Sequence, residues 1–351
     1  MTAFRKGVNL GGWLSQYPQF DEEHFRTFIT RKDIETIASW GFDHVRLPID
    51  YQVLEEDAAP GKYREIGFSY IDRCLEWCRS VGLGVILDLH HAPGYTFQNT
   101  LQPETHHQNV LFDQPAMQER FIALWKAIVS RYHAVDFPIG FELLNEVVLP
   151  DSAPWNALAH RTVAALRTIS PDSIILIGGN AYNAASELKN IALLDDPNVL
   201  YTFHFYEPLL FTHQRAYWME ITRSYTRTLN YPGEFIGLKE FLDQAPSYRT
   251  EFGWLLGRKI DAYLLAEFLQ PVDEFIRQSG RIPYCGEYGV IQIAPAESRR
   301  RWHADLLALF REMGVGHAVW SYKEMDFGLV DIFGRPIDED LIKILRGSPG
   351  E

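Results

Sequence analysis

Residues 138–147 read PIGFELLNEV, a short apolar run that stops on Asn145 and Glu146. Ile139, Phe141, Leu143 and Leu144 lie close together, with Gly140 and Glu142 among them, which suits a strand buried on both faces. Polar residues at the end of such a strand have left the core. In a parallel α/β barrel the C-terminal strand ends are where chemistry is done. The competing reading makes Asn145 a helix cap and Glu146 a first-turn acid, and on this stretch alone the two stand even. A second stretch, Ile282–Val290 (IPYCGEYGV), again ends a strand-like run on a glutamate, Glu287, and this favours the barrel.

Outward from these two stretches the chain alternates. Further strands are predicted at Phe4–Leu10, His44–Ile49, Gly84–His90, Ser173–Gly178, Val199–Tyr206 and Gly316–Tyr322. Helical spacing marks Thr30–Trp40, Ser69–Val81, Pro115–Tyr132, Ala153–Ile169, Glu297–Met313 and Asp338–Leu345, the first two closed by glycines. Eight strands alternating with helices predict an α/β fold, a (β/α)8 TIM barrel that uses residues 1–351 as one domain. A doubly wound open sheet competes. Against it, no Gly-rich fingerprint follows the first strand, and no GxxxxGK phosphate loop occurs. Residues 207–260 break the rhythm after strand six and are rich in aromatics, from Phe211 and Trp218 to Trp254. An unstructured loop of that length would count against the fold. The segment is therefore read as a partly helical inserted subdomain over the active face, forming a wall of the cleft rather than a stability ornament.

Composition bounds the function. The net charge of −13 argues against a nucleic-acid partner or an anionic membrane surface. No apolar run reaches the length of a transmembrane helix. The opening MTAFRKGVNLGGW lacks the apolar segment of a signal peptide, so a cytoplasmic location is expected. Cys74 and Cys78 on a helix and Cys285 on a strand cannot make a disulfide framework and are expected as buried thiols.

The side chains expected at the strand ends are Asn9, Arg46, His90, Asn145, Glu146, His204, Tyr206, Glu287 and Trp320. Two carboxyls in one pocket suit glycosidic-bond hydrolysis, one giving a proton to the leaving oxygen and the other attacking the anomeric carbon. Arg46 and Tyr206 could keep one carboxylate charged. Trp320 offers a flat apolar face to a sugar, and Asn145 a hydrogen bond that does not titrate. Singly, each has a plainer reading: a structural ion pair for Arg46, satisfied barrel histidines, and core for Trp320. His90-His91 and His106-His107 could suggest a metal. Consecutive strand residues face opposite ways, so neither pair chelates well unless the backbone turns, and neither HExxH nor CxxC is present. No GxSxG elbow supports a serine hydrolase. Lys323, just past strand eight, leaves Schiff-base chemistry as a second enzyme class.

The segments NLGGW, HVRLP, DLHHAPG, ELLNEV, FHFY, YCGEYGV and AVWSY, in that order along the chain, resemble glycoside hydrolase family 5, and within it the endoglucanase C type of bacterial cellulase. The resemblance implies a (β/α)8 barrel and retaining hydrolysis of β-glucan polysaccharides or oligosaccharides, with no cofactor or metal. It implies Glu146 as acid/base and Glu287 as nucleophile. Around the cleaved sugar it places Arg46, His90, Asn145, His204, Tyr206 and Trp320, with Trp218 of the insertion as a further contact. Val147 stands where the family usually has proline, as in the narrower type. The implied substrates are β-1,4-glucan and mixed-linkage β-1,3-1,4-glucan. Mannan or β-1,3-glucan on the same barrel, or a non-catalytic carbohydrate-binding barrel, are the alternatives. The chain is expected to act as a monomer.

Overall fold

In the computed structural model, which describes residues 4–101 and 104–347, the strands pair in chain order and close on themselves. They are β1 (Lys6–Asn9), β2 (His44–Asp50), β3 (Gly84–His91), β4 (Ile139–Glu142), β5 (Ile174–Gly178), β6 (Val199–Phe205), β7 (Tyr284–Tyr288) and β8 (Gly316–Val319). All eight pairings are parallel, and β8 returns to β1. Several strands are shorter than the apolar runs that announced them. Leu143 and Leu144 stay buried after β4 has left the ladder, because burial outlasts strand pairing at the barrel mouth.

Alternation along β4 decides what enters the barrel. Phe141 faces the outer helices and meets Trp125 edge-on at 6.3 Å. Gly140 and Glu142 face inward. A side chain at Gly140 would put its Cβ 2.8 Å from Leu176, so glycine there makes room for the layer that plugs the barrel floor: Phe4, Ile86, Leu176, Tyr284 and Ala318. The larger core lies between strands and helices.

The helices start and stop for local reasons. Thr30 and Asp33 form a capping box ahead of Arg31–Ser39. Pro115 opens the long helix Pro115–Tyr132, where its missing N–H costs nothing. Gly82 and Gly314 close their helices at φ of 78° and 72°, a region costly for other residues. The stretch before Thr30, expected as a loop, holds a helix Glu22–Thr27 capped by the Asp21 side chain. Among the described residues no helix is long and apolar enough to cross a membrane. All three cysteines are free and buried.

The segment 207–260 folds into short helices, among them Leu209–Thr212, Glu220–Ser224 and Leu238–Gln244, and a small antiparallel pair of Gly233–Glu234 with Lys259–Ile260. Much of its aromatic content is its own core: Phe211, Tyr225, Tyr231, Phe235 and Phe252 are buried. Tyr231 donates to Asp305 on the helix Ala296–Met313 at 2.7 Å, tying the segment to the barrel.

Candidate active site

Strand register gathers the polar residues. Asn9 lies opposite Arg46, and Asp88 opposite both Pro48 and Glu142, so β1 to β4 deliver one layer of polar groups to the barrel interior. Arg46 is its hub and is fully buried. Its Nε donates to Glu142 at 2.7 Å and its Nη2 to the other Glu142 oxygen at 3.1 Å. Nη1 donates to Asn9 at 2.9 Å and to Glu287 at 2.7 Å. Nη2 also donates to Asn145 Oδ1 at 2.9 Å and lies 3.1 Å from Asp88. A planar guanidinium with its donors in a fixed fork can aim at several acceptors at once, which an ammonium cannot.

Glu287, on β7, accepts from Arg46 with one oxygen and from the Tyr206 hydroxyl, at 2.9 Å, with the other. Glu146 follows β4 and meets a different environment. Its Oε1 is 3.0 Å from His204 Nδ1, which stands 3.7 Å from Glu287. Burial pushes the His204 imidazole well below its usual range, so it is neutral and gives Glu146 no charge to pair with. Burial, and then the charge of Glu287, push the Glu146 carboxyl well up. Burial also pushes Glu287 up, but Arg46 first and the Tyr206 hydroxyl later act against it. The two carboxyls share one low-dielectric space, and the proton they can keep belongs on the one without a cation. That is Glu146. One oxygen of each carboxyl and a ring nitrogen of His204 all lie within 4.8 Å of one another, which suits the roughly 5–5.5 Å spacing of retaining glycosidases better than the roughly 6.5–9.5 Å of inverting ones.

The backbone at Glu146 has φ of 41°, a strained value for a residue with a side chain. Tyr95 holds it there. Its hydroxyl donates to the Glu146 carbonyl and accepts from the Val148 N–H, each at 2.8 Å.

The remaining sequence-predicted residues line the same space. His90 is bonded through Nδ1 to Asp88 at 2.8 Å and is held neutral by burial, which pulls its pKa down to about 3. Its ring stacks on Trp320, with centroids 5.8 Å apart and planes 8° apart. Asn145 turns its oxygen to Arg46 and its NH2 to His90 Nε2 at 3.5 Å. Trp218 sits one ring further out. It packs on His213 and Phe327, which in turn contact Tyr206.

Two expectations need correction. Lys323 is no Schiff-base candidate: its ammonium is buried, donates to the Phe28 carbonyl at 2.7 Å and pairs with Asp33 at 3.1 Å, so it ties the segment after β8 to Phe28 and to the start of the helix Arg31–Ser39. Nor do His90 and His91 face opposite ways. The β2–β3 register slips between Ile49 and Asp50, an irregularity that lets both rings pack against Phe97, 5.7 Å from each other.

Glu142 and Asp88 were not expected to matter. Inward alternation from Gly140 was the available signal for Glu142. One guanidinium cannot offset three ionised carboxylates, and burial pushes Asp88 and Glu142 each up to about 7. A carboxyl whose pKa is raised in the folded protein stabilises it below the unfolded pKa, and that contribution is lost as pH rises through about 7. Gln cannot titrate. Glu142→Gln should therefore destabilise by about 1–3 kcal/mol at pH 5, through the bond to Arg46 it cannot reproduce, and by clearly less at pH 8. Urea unfolding at the two pH values checks this; a deficit that grows with pH would contradict it.

A charge-paired carboxylate facing a protonated one at the mouth of a β/α barrel defines a glycoside hydrolase. The chain belongs to the cellulase family, glycosyl hydrolase family 5, whose family model matches residues 4–326. It is 48% identical to Endoglucanase C of Acetivibrio thermocellus, over 98% of each chain. It is 37% identical to Cellodextrinase A of Ruminococcus flavefaciens, over 88% of this chain and 83% of that one. Its fold matches the crystal structure of Thermotoga maritima Cel5A in complex with mannotriose at a TM-score of 0.77, with 24% identity over 98% and 97% of the two chains.

Proposed function

We propose that this chain is a retaining endo-β-glucanase that cuts internal β-1,4 bonds of β-1,4-glucan and mixed-linkage β-1,3-1,4-glucan. Glu287 is its nucleophile and Glu146 its acid/base. The observation that carries the reading is the unequal pairing of the two glutamates: Arg46 and Tyr206 on Glu287, a neutral imidazole on Glu146. In the first step a Glu287 oxygen bonds the anomeric carbon as the glycosidic C–O bond breaks, and the Glu146 proton goes to the departing oxygen. In the second, Glu146 takes a proton from water, which attacks the anomeric carbon and restores the Glu287 carboxylate. Asn145 Nδ2 and His90 Nε2 face the sugar being cleaved, and Trp320 backs it. Trp218 and the segment 207–260 form the wall beyond, where a longer chain would lie.

The names of the relatives at 48% and 37% identity support a β-1,4-glucan substrate. A non-catalytic barrel is disfavoured because both glutamates and every partner that sets their charge are in place. The test is reducing-sugar release from mixed-linkage β-glucan, carboxymethylcellulose, β-mannan and laminarin. Release from the first two is expected. Release from β-mannan or laminarin alone would overturn the substrate and keep the chemistry, and no release from any would overturn the reading.

A further inference from the structure

An acid/base built on Glu146 works only while two parts stay together, its carboxyl and the His204 imidazole 3.0 Å away. Neither is held by the barrel ladder alone. β4 ends at Glu142, before Glu146 is reached, and β5 pairs with β6 no further than Thr202, short of His204. Beyond those points one segment serves both. It follows β5 and carries three consecutive residues in the left-handed region, Ala181, Tyr182 and Asn183, at φ of 47°, 60° and 57°. The one other such run among the described residues, Glu324–Asp326, also follows a barrel strand.

β5 lies between β4 and β6, so the turn stands between the two parts. Toward β4, the Tyr182 N–H donates to the Val147 carbonyl at 3.2 Å, and the Asn180 side chain bonds both the N–H and the carbonyl of Leu149, each at 2.8 Å. Toward β6, the Asn183 carbonyl accepts from the His204 N–H at 2.7 Å, and Ala184 makes a parallel bridge with His204. The residue after Glu146 and the backbone of His204 thus hang on adjacent residues of one turn.

Left-handed backbone is costly for residues with a side chain, least so for asparagine and aspartate, and it persists only where the surroundings hold it. What holds it here is the Asn183 side chain, which is 1% exposed. Its Oδ1 accepts from the Gly179 N–H at 2.7 Å and its Nδ2 donates to Thr202 Oγ1 at 2.9 Å, pinning the turn to the end of β5 and to β6. We propose that Asn183 is a positioning residue for the acid/base: by anchoring this turn it fixes the Glu146 carboxyl against His204. This rests on the reading of Glu146 as acid/base and deepens it. The nucleophile is supported from elsewhere, by Arg46 on β2 and by Tyr206, whose carbonyl accepts from the Thr212 hydroxyl. Loosening the turn should therefore impair proton transfer before nucleophilic attack.

The test compares Asn183→Ala, Asn183→Gly and Asn183→Asp. Alanine loses both side-chain bonds and resists the left-handed region. Glycine loses the bonds but adopts the region freely, and aspartate tolerates it while accepting from both the Gly179 N–H and the Thr202 hydroxyl. On cellotetraose, whose leaving group needs a proton, Asn183→Ala should lose about tenfold or more in kcat/KM, against less than about threefold on 2,4-dinitrophenyl β-cellobioside, which needs little. Asn183→Gly should show the same split to a smaller degree, and Asn183→Asp should return cellotetraose hydrolysis to within about threefold of the parent. The groups facing Glu146, namely His204, Glu287, Arg46 and Asp88, are the same in all three. In Asn183→Ala the alkaline limb of the kcat/KM profile should move to lower pH, as water reaches a carboxyl that burial had raised, and the acid limb should stay. Equal losses on the two substrates, an unmoved alkaline limb, or a lower Tm with parental kinetics would make Asn183 merely structural and overturn the proposal. Should Asn183→Ala not fold, the glycine and aspartate variants carry the same comparison. A Glu146→Ala protein that slows both substrates equally would instead overturn the acid assignment, and that is read with Asn183 in place.

Discussion

Glu287→Gln is expected to lose at least about a thousandfold in kcat on every substrate while still binding cello-oligosaccharide. The amide has the size of the carboxylate but cannot form the ester bond that the first displacement requires. The fold should survive, because Arg46 keeps Glu142, Asp88, Asn9 and Asn145 as partners and is not left buried with an unanswered charge. The substitution also removes the charge that helps raise Glu146, so the acid should titrate lower in the variant. Steady-state hydrolysis and calorimetric binding of cellotetraose check the two halves. More than about one per cent residual turnover, with wild-type contamination excluded, would remove Glu287 from the nucleophile's role.

This result follows from a division of labour that neither glutamate carries in its own sequence. Both end apolar strands, both sit in the same low-dielectric mouth, and burial alone raises both. What separates them is brought from elsewhere in the chain: Arg46 by β2, Tyr206 by the end of β6, and His204 by β6 itself. The neutrality of His204 matters as much as the charge of Arg46. A protonated imidazole would stabilise ionised Glu146 and remove the proton that the leaving oxygen needs.

Much of the barrel was legible because its signals are local. Apolar runs of strand length, amphipathic helices and the glycines after them are written in contiguous residues, and eight alternations of strand and helix imply a closed barrel. The assembled centre was legible only in part. Glu146 and Glu287 stand at visible strand ends, but Glu142 looked like an interruption of an apolar run until β4 showed which way it faces. The turn that brings the twin histidines onto Phe97 was not legible, because the register slip at Asp50 depends on how β2 and β3 pair, which spacing within either strand does not reveal. Lys323 was misread for a similar reason: its partners, Phe28 and Asp33, lie at the opposite end of the sequence and meet it through the closure of β8 on β1. The helix Glu22–Thr27 had a local signal, the acidic run after Asp21, that the expectation of a loop passed over.

The other large effect is expected at Glu146, and it depends on the leaving group. Removing a general acid leaves the departing oxygen to go as an anion, which costs most when its conjugate acid is weak. Glu146→Ala should therefore slow hydrolysis of mixed-linkage β-glucan by about a thousandfold or more, yet slow the first step on 2,4-dinitrophenyl β-cellobioside far less. The pH profile carries the sign. In the parent, activity should fall on the acid side as Glu287 takes up a proton, and on the alkaline side as pH rises through the elevated pKa of Glu146, where the acid would lose the proton it is expected to give. In the variant the acid limb remains, since Glu287 keeps Arg46 and Tyr206, whereas the alkaline limb disappears on the activated substrate. Equal losses on both substrates, or an alkaline limb that persists in Glu146→Ala, would show that another group supplies the proton, and the neutral His204 at 3.0 Å would be the first to examine.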